Sequence, residues 1–276
     1  MVKSGIILVD KPRGPSSHQT AAWTGEILKT SVGHSGTLDP MVSGVLVVMT
    51  GKAVKLAPLL LQHEKEYIAC MRLHADVPRG TVEEAVKGFL GRIYQRPPRR
   101  SAVKRALRIR VIHKIEVLDM SGRLVMLRVR CESGTYIRSL CVQIGYVLGC
   151  GAQMTELRRT MSGGFTAADA HTLQEIRDAA ERGCADSLIL PPEAAISDIP
   201  KAVIRESAKD AVFHGAALAV PGIISCDSFR AKQKIALIDE KGRLAALAEA
   251  LMDSDRITPG GHGLAARSIR VFSEET

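Results

Sequence analysis

The chain has 276 residues, 46% of them hydrophobic, with 38 Lys+Arg against 29 Asp+Glu and a formal net charge of +9. That is long for one compact domain and short for three, with enough apolar residues for a real core and no run near the roughly 20 that cross a bilayer. Its six cysteines, none in a C-x-x-C pair, argue against a zinc site and are too sparse for a disulfide framework, so they read as reduced thiols in a cytoplasmic protein.

In chain order, SGIILVD (4–10) reads as a strand, its apolar run too short for a signal peptide. Ser16 or Ser17 can cap a helix running to about Lys29. GVLVVMTG (44–51) is a short buried strand, and KEYIACMRLHA (65–75) alternates as another. TVEEAVKGFLG (81–91) predicts a helix with Thr81 as cap and Gly91 at its end. The segments 109–120 and 123–133 predict a hairpin turning at Ser121 and Gly122. TYIRSLCVQIGYVLG (135–149) and LQEIRDAAERG (173–183) are helical. Pro191, Pro192 and Pro200 punctuate a boundary, after which FHGAALAVPGI (213–223) and residues 234–252 predict short strands with glycine turns. Hairpins without a regular βαβ alternation favour α+β, with a mixed, largely antiparallel sheet and flanking helices over 1–198 and a small β-rich domain over 199–276.

Charge is spread unevenly. Residues 1–160 carry 25 Lys+Arg against 12 Asp+Glu, residues 161–200 carry 2 against 7, and the remainder 11 against 10. The sharpest piece is RPPRRSAVKRALRIR (96–110), where seven of fifteen residues are basic and none is acidic. A basic patch confined to one part of a chain suggests a polyanionic partner, and nucleic acid fits it; Arg99, Arg100, Lys104 and Arg105 are the candidate contacts.

Generic catalytic signatures are absent: no Walker A loop, no G-x-G-x-x-G, no H-E-x-x-H, no G-x-S-x-G. The chemistry concentrates instead in GHSGTLDP (33–40). Asp39 before Pro40 has an ordinary reading as a turn or helix start, its carboxylate accepting backbone N–H bonds. Its surroundings favour another. Gly33 and Gly36 permit close approach to a ligand, and His34, Ser35 and Thr37 offer donors for a phosphate or for the loop itself. A lone carboxylate on such a loop suits a nucleophile acting on a polyanion.

GHSGTLDP resembles the catalytic loop of the TruB-like RNA pseudouridine synthases. GIILVDKPRGPSSH (5–18) resembles that family's Lys-Pro segment, KEYIACMRLHADV (65–77) its tyrosine strand, CESGTYIRSL (131–140) its Gly-Thr-Tyr-Ile-Arg segment and GAQMTELRRTMSG (151–163) its Leu-Arg-Arg segment, all in the family's order. The stretch between the catalytic loop and the tyrosine strand is shorter than in bacterial tRNA-modifying members. Residues 94–110, LILPPEAA (188–195) and HGAALAVPG (214–222) resemble the archaeal-type H/ACA catalytic subunit, a relative of dyskerin, and the tail resembles a PUA domain, a small RNA-binding β-barrel. Gln153 stands where the family has His, and FRAKQKIALI (229–238) lacks the Gly-Asp pair of that domain.

The resemblance implies an isomerase that breaks the N1–C1′ bond of a uridine and rejoins the base through C5, with no cofactor and no metal. Asp39 is the implied catalytic carboxylate, attacking C1′ or C6 or acting as a base at C2′. Tyr67 would stack on the flipped base. Arg138 would pair with Asp39, its planar fork fixing the carboxylate better than a lysine could. Leu157 would wall the pocket, Lys11 and Pro12 would buttress it, and His34 would organise the loop or touch RNA. Tyr136 and Tyr146 would pack. The implied partners are an H/ACA guide RNA, an rRNA target, small Nop-type and Gar-type accessory proteins and a kink-turn-binding ribosomal protein. The alternatives are a guide-independent synthase acting on the TΨC arm of tRNA, and a non-catalytic RNA scaffold, which the intact Asp39, Tyr67 and Arg138 oppose.

Overall fold

A computed structural model describes residues 2–96 and 106–272. The chain divides into two compact units, Met1–Lys3 with Ile7–Ile189, and Ser4–Ile6 with Leu190–Thr276. None of the described helices is long and apolar enough to cross a membrane.

The first part of the chain runs β1 (Gly5–Lys11), α1 (Ser17–Leu28), β2 (Val32–Ser35), β3 (Ser43–Thr50), α2 (Ala57–Leu60), β4 (Lys65–Leu73), α3 (Arg79–Lys87), β5 (Gly91–Gln95), β6 (Arg108–Ser121), β7 (Leu124–Cys131), α4 (Ile137–Val147), β8 (Ala152–Ser162), β9 (Phe165–Thr166) and α5 (Leu173–Glu181). Its strands form one sheet in the order β1-β3-β8-β4-β7-β6-β5, with β2 added beside β3 and β9 beside β8. The pair β3–β8 is parallel, whereas β4 is antiparallel to both its neighbours. The fold class is the expected one, a mixed α+β molecule with a largely antiparallel sheet and flanking helices.

Among the described residues, two apolar clusters bear on the site. Alternate residues of β4, β6 and β7, among them Ala69, Met71, Val125, Leu127 and Val129, pack with Val82 and Val86 of α3 and with Leu140 and Ile144 of α4. Ile7 and Val9 of β1, Leu46 and Val48 of β3, Ala21 and Leu28 of α1 and Ile176 of α5 make the other. Ser16 caps α1 and Thr172 caps α5, each in a reciprocal capping box with the third helical residue.

The central register decides which side chains meet. On β4 and β8, Tyr67 stands opposite Arg159, Ile68 opposite Arg158, and Ala69 opposite Leu157. Side chains alternate along a strand, so Tyr67, Leu157 and Arg159 share one face while Arg158 points to the other. Arg158 there makes a two-pronged ion pair with Asp10, both contacts at 2.9 Å.

The second unit holds β10 (Lys201–Ile204), α6 (Glu206–Phe213), β11 (Leu218–Ala219), β12 (Ile223–Cys226), β13 (Lys234–Ile238), β14 (Leu244–Ala250) and β15 (Leu264–Val271). Its six strands, in the order β11-β15-β14-β13-β10-β12, curl into a nearly closed barrel around Ile204, Ile235, Leu237, Ala246, Ala248 and Ala266. Asp239, 2% exposed, organises one end. It accepts from Lys209 Nζ at 3.1 Å, from Arg243 Nη2 at 2.8 Å, and from the N–H groups of Lys241 and Arg243 at 3.0 and 2.9 Å.

Several local expectations shift. α3 starts at Arg79, two residues before Thr81, because the Pro78 carbonyl accepts the first helical bond from Val82. It ends at Lys87, and Gly91, at φ +89, instead opens β5. The hairpin turns on Gly122 and Arg123, since Ser121 still pairs with Leu124. Phe213 closes α6 rather than beginning a strand: Ala208 and Val212, four apart, and Phe213 itself pack on the barrel core.

Two consequences can be measured. Gly44 has φ +108, and a Cβ there would lie 2.1 Å from the Arg159 carbonyl oxygen. Gly44→Ala therefore combines backbone strain with a clash against an immovable strand, and chemical denaturation should show a loss of about 3 kcal/mol or more. Burial alone would raise the Asp239 carboxyl, but the Arg243 N–H and guanidinium, the Lys209 ammonium and the Lys241 N–H together hold it well below the usual carboxylate range. A depressed folded value means its stabilisation is present above the unfolded value of about 3.9 and is lost as pH falls below it. Denaturation followed from pH 6 to 3 should show a steep acid loss in the wild type and a flatter, lower curve in Asp239→Asn.

Candidate active site

The chain leaves β2 at Ser35, turns at Gly36 with φ +73 and re-enters the sheet as β3. Leu38 is buried, and its backbone is held by Ser17 at the start of α1: the hydroxyl accepts from the Leu38 N–H at 2.7 Å and donates to its carbonyl at 2.9 Å. The next turn is braced from beneath. Lys11, 0% exposed at the end of β1, donates to the carbonyls of Val42 at 2.7 Å, Pro12 at 2.8 Å and Pro40 at 3.2 Å. That engages all three ammonium hydrogens. Burial pushes the Lys11 ammonium down, the Asp39 charge draws it back up, and Arg159 opposes that recovery. Lys11 therefore presents no free donor to a ligand, and its place is that of a buttress.

Asp39 projects from this braced turn with 59% of its side chain exposed. Its carboxylate meets a guanidinium rather than the backbone N–H groups of a turn: Arg138 Nη2 donates to Oδ2 at 2.8 Å across 99 residues of chain. Arg138 lies in the first turn of α4, and the entry to that helix is fixed twice over. The side-chain amide of Gln95 accepts from the Tyr136 N–H at 2.9 Å and donates to the Tyr136 carbonyl at 3.1 Å. The Arg110 guanidinium donates to Glu132 at 3.1 Å and to the Gly134 carbonyl at 3.2 Å. With 51% of the Arg138 side chain also exposed, the Asp39–Arg138 pair contributes only about 0–1 kcal/mol to folding, so its value lies in orienting the carboxylate.

Tyr67 is partly buried against the main core together with Leu157, on the face that also carries Arg159. Burial pushes its phenol up, and Arg159 pulls it down. Arg159 is 1% exposed and its Nε donates to the Val45 carbonyl at 2.8 Å. Lys65, on the same strand as Tyr67, donates to the carbonyls of Leu60, Leu61 and His63 at 3.3, 3.0 and 2.6 Å, and burial lowers its ammonium to about 8. His34, half-buried on β2, is kept toward its neutral form by burial first, then by His18 and Arg159.

The structure thus brings Lys11, Asp39 and Arg138 together, sets Tyr67 and Leu157 on one face of the β4–β8 pair, and places His34 on β2 beside β3. Other expectations change. Gly33 and Gly36 serve the protein's own packing rather than a ligand's approach, since Cβ atoms there would meet Val54 Cγ1 at 2.9 Å and Arg159 Nη1 at 3.2 Å. Tyr146 is 75% exposed and does not pack. Gln153 pairs with Arg72 at the far end of β8, six residues from Arg159, which at about 3.3 Å per residue removes it from this site. The basic residues Arg99, Arg100, Lys104 and Arg105 lie outside the described residues. Local pattern missed Ser17, Gln95 and Arg159; alternation along β8 was the available signal for the last, because it shares parity with Leu157.

Three family profiles match the chain: "TruB family pseudouridylate synthase (N terminal domain)" over residues 26–137, "tRNA pseudouridylate synthase B C-terminal domain" over 138–197, and "PUA domain" over 200–272. Similar curated proteins include the probable tRNA pseudouridine synthase B of Methanosarcina barkeri, 47% identical over 99% of this chain and 83% of the relative. The protein of that name from Archaeoglobus fulgidus is 45% identical over 99% of this chain and 87% of the relative. Among solved structures, a chain of a Cbf5-Nop10-Gar1 complex superposes with TM-score 0.91 at 45% identity, covering 98% of this chain and 85% of that one. A chain of an H/ACA RNP bound to a substrate RNA containing 2′-deoxyuridine gives 0.90 at 42% identity, with coverage of 98% and 85%. A braced, exposed carboxylate on the loop between β2 and β3, the family profiles and full-length relatives at these identities agree: the chain belongs to the TruB family and is a pseudouridine synthase with a PUA domain.

Proposed function

We propose that this chain isomerises uridine in RNA under the direction of an H/ACA guide, with Asp39 as the reacting carboxylate. The observation that carries the catalytic part is the exposed Asp39 side chain, 2.8 Å from Arg138 and set on a turn that the buried Lys11 holds rigid. The guide-directed part is supported by the likeness, over 98% of the chain, to chains solved in a Cbf5-Nop10-Gar1 complex and in an RNA-bound H/ACA RNP. In that setting base pairing with the guide selects the uridine, and the protein reads RNA shape and backbone.

The uridine leaves its stack, at a cost of a few kcal/mol, and its base stacks on Tyr67 beside Leu157, which returns roughly 1–3 kcal/mol. This places the ribose over the Asp39 carboxylate. Attack on C1′ or C6, or proton removal at C2′, each needs an ionised and oriented carboxylate, and the Arg138 fork provides that orientation. The names of the curated relatives favour a second reading, a synthase acting on tRNA without a guide. A target in rRNA suits the first reading, and small Nop-type and Gar-type proteins with a kink-turn-binding ribosomal protein would complete its particle.

Two measurements test these readings. Asp39→Asn should keep RNA affinity within a few-fold and reduce single-turnover pseudouridine formation by roughly 10³-fold or more; a variant retaining most of its activity removes Asp39 from the chemistry. Purified protein should form little pseudouridine in a tRNA transcript alone and much more in a target RNA once guide and accessory proteins are added. Full activity on tRNA alone would favour the guide-independent reading.

A further inference from the structure

The helix that carries Arg138 lacks a cap of its own. Tyr136 is the N-cap of α4, its side chain makes no capping hydrogen bond, and no acidic residue stands in the first turn. The last two residues of β5 supply what is missing. Gln95 is 3% exposed, and its amide pairs with the Tyr136 peptide at two points, accepting from the N–H at 2.9 Å and donating to the carbonyl at 3.1 Å. It also donates to Gln143 Oε1 at 3.3 Å, and Gln143 in turn donates to the Tyr94 carbonyl at 2.8 Å. Both donor hydrogens of this buried amide are thereby used.

Helical geometry turns these contacts into a direction. Tyr136 and Gln143 are about two turns apart, so they lie on one stripe of α4 with about 10 Å between them. β5 therefore grips the helix at two points along its axis, which fixes both its start and its tilt. Leu140 and Ile144, within about a quarter turn of that stripe, face the apolar core. Arg138 lies about 200° round from Tyr136, on the side turned away from β5. There its Nη2 meets Asp39 at 2.8 Å. With both side chains more than half exposed, that ion pair is too weak to set the helix direction by itself. Arg110 holds only the approach, at Glu132 and Gly134, ahead of the helix.

We propose that Gln95 is a positioning residue for the isomerisation: through Tyr136 and Gln143 it sets the start and tilt of α4 and so aims the Arg138 guanidinium at the Asp39 carboxylate. This rests on the reading of the site given above. The apolar face of α4 attaches the helix to the core, so the Gln95 amide contributes direction more than attachment.

The test begins with the free protein. In a proton–nitrogen correlation spectrum of the arginine side chains, the Arg138 Nε resonance is assigned by its loss in Arg138→Lys. Gln95→Met fills about the same space without the hydrogen bonds. It should move that resonance toward the position it takes in Asp39→Asn, where the ion pair is lost; a resonance left in place overturns the proposal. This measurement uses neither RNA nor turnover, so it decides the proposal even if Asp39 proves not to react. In the assembled complex, Gln95→Met should slow single-turnover pseudouridine formation roughly 10- to 100-fold with RNA affinity within a few-fold. A loss of affinity in place of rate overturns the proposal. Added to Arg138→Met, the same change should cost less than about 3-fold more, because both act through one guanidinium. A purely structural defect would lower the rate by its full factor again, and that result overturns the proposal. Should Gln95→Met fail to fold, Gln143→Met carries both measurements. It removes the second grip alone, so the expected result is a smaller shift and a smaller loss of rate, and a wild-type value in either overturns the proposal.

Discussion

Three carbonyl oxygens converge on one buried ammonium beneath the Asp39 turn, and the geometry of the site follows from that contact. Pro12, Pro40 and Val42 belong to two separate passes of the chain, and Lys11 joins them at 2.7–3.2 Å. A compact ammonium with three rotatable hydrogens suits such a convergence, whereas a flat guanidinium would direct its donors into one plane. Burying the charge is unfavourable, as the lowered Lys11 ammonium shows, and the field of Asp39 offsets part of that cost. The carboxylate and its foundation are therefore coupled. The turn exposes Asp39 because Lys11 is hidden, and Lys11 keeps its charge more readily because Asp39 is near.

The same economy of charge runs through the pocket. Lys11 and Arg138 both act on the Asp39 carboxylate, while Lys65 and Arg159 are buried in the same unit, a concentration of positive charge that suits a polyanionic substrate. These cations do different work. Lys11 and Lys65 hold backbone carbonyls, Arg138 faces the acid from a helix start, and Arg159, opposite Tyr67 in register, donates to the Val45 carbonyl. The Asp39–Arg138 pair is exposed and weak as a stabiliser, which leaves it open to a ligand. The supports beneath it, Ser17 on Leu38 and Gln95 on Tyr136, are short, internal and fixed by the helices that carry them.

Much of the fold could be read locally. β1 and β3 are dense apolar runs, β4 alternates, and the capping boxes at Ser16 and Thr172 follow from residue type. β8 escaped as a strand because Glu156, Arg158 and Arg159 interrupt its apolar pattern; the two arginines serve opposite faces, one on Asp10 and one on the Val45 carbonyl. α6 escaped because its eight residues are evenly split between polar and apolar, and packing on the barrel core explains why it is helical. The pairing of Asp39 with Arg138 was legible through family resemblance alone, since 99 residues separate them and no local rule connects a turn to a distant helix start. Lys11 was placed near the site, but its three carbonyl partners depend on a loop that returns 29 and 31 residues later. Alternation along β8 could put Arg159 on the same face as Leu157, but its place opposite Tyr67 depends on cross-strand register that no local pattern gives.

The central claim is spatial, that an extruded uridine lies over the Asp39 carboxylate. The most direct measurement is a structure of the Asp39→Asn protein in complex with guide, accessory proteins and an unreacted target. The account predicts the target base stacked on Tyr67 with C1′ or C6 within about 3.5 Å of the residue 39 side chain, or its 2′-carbon's hydrogen within reach of it. A target base held elsewhere, with the ribose more than about 6 Å from residue 39 in an otherwise ordered complex, would contradict it.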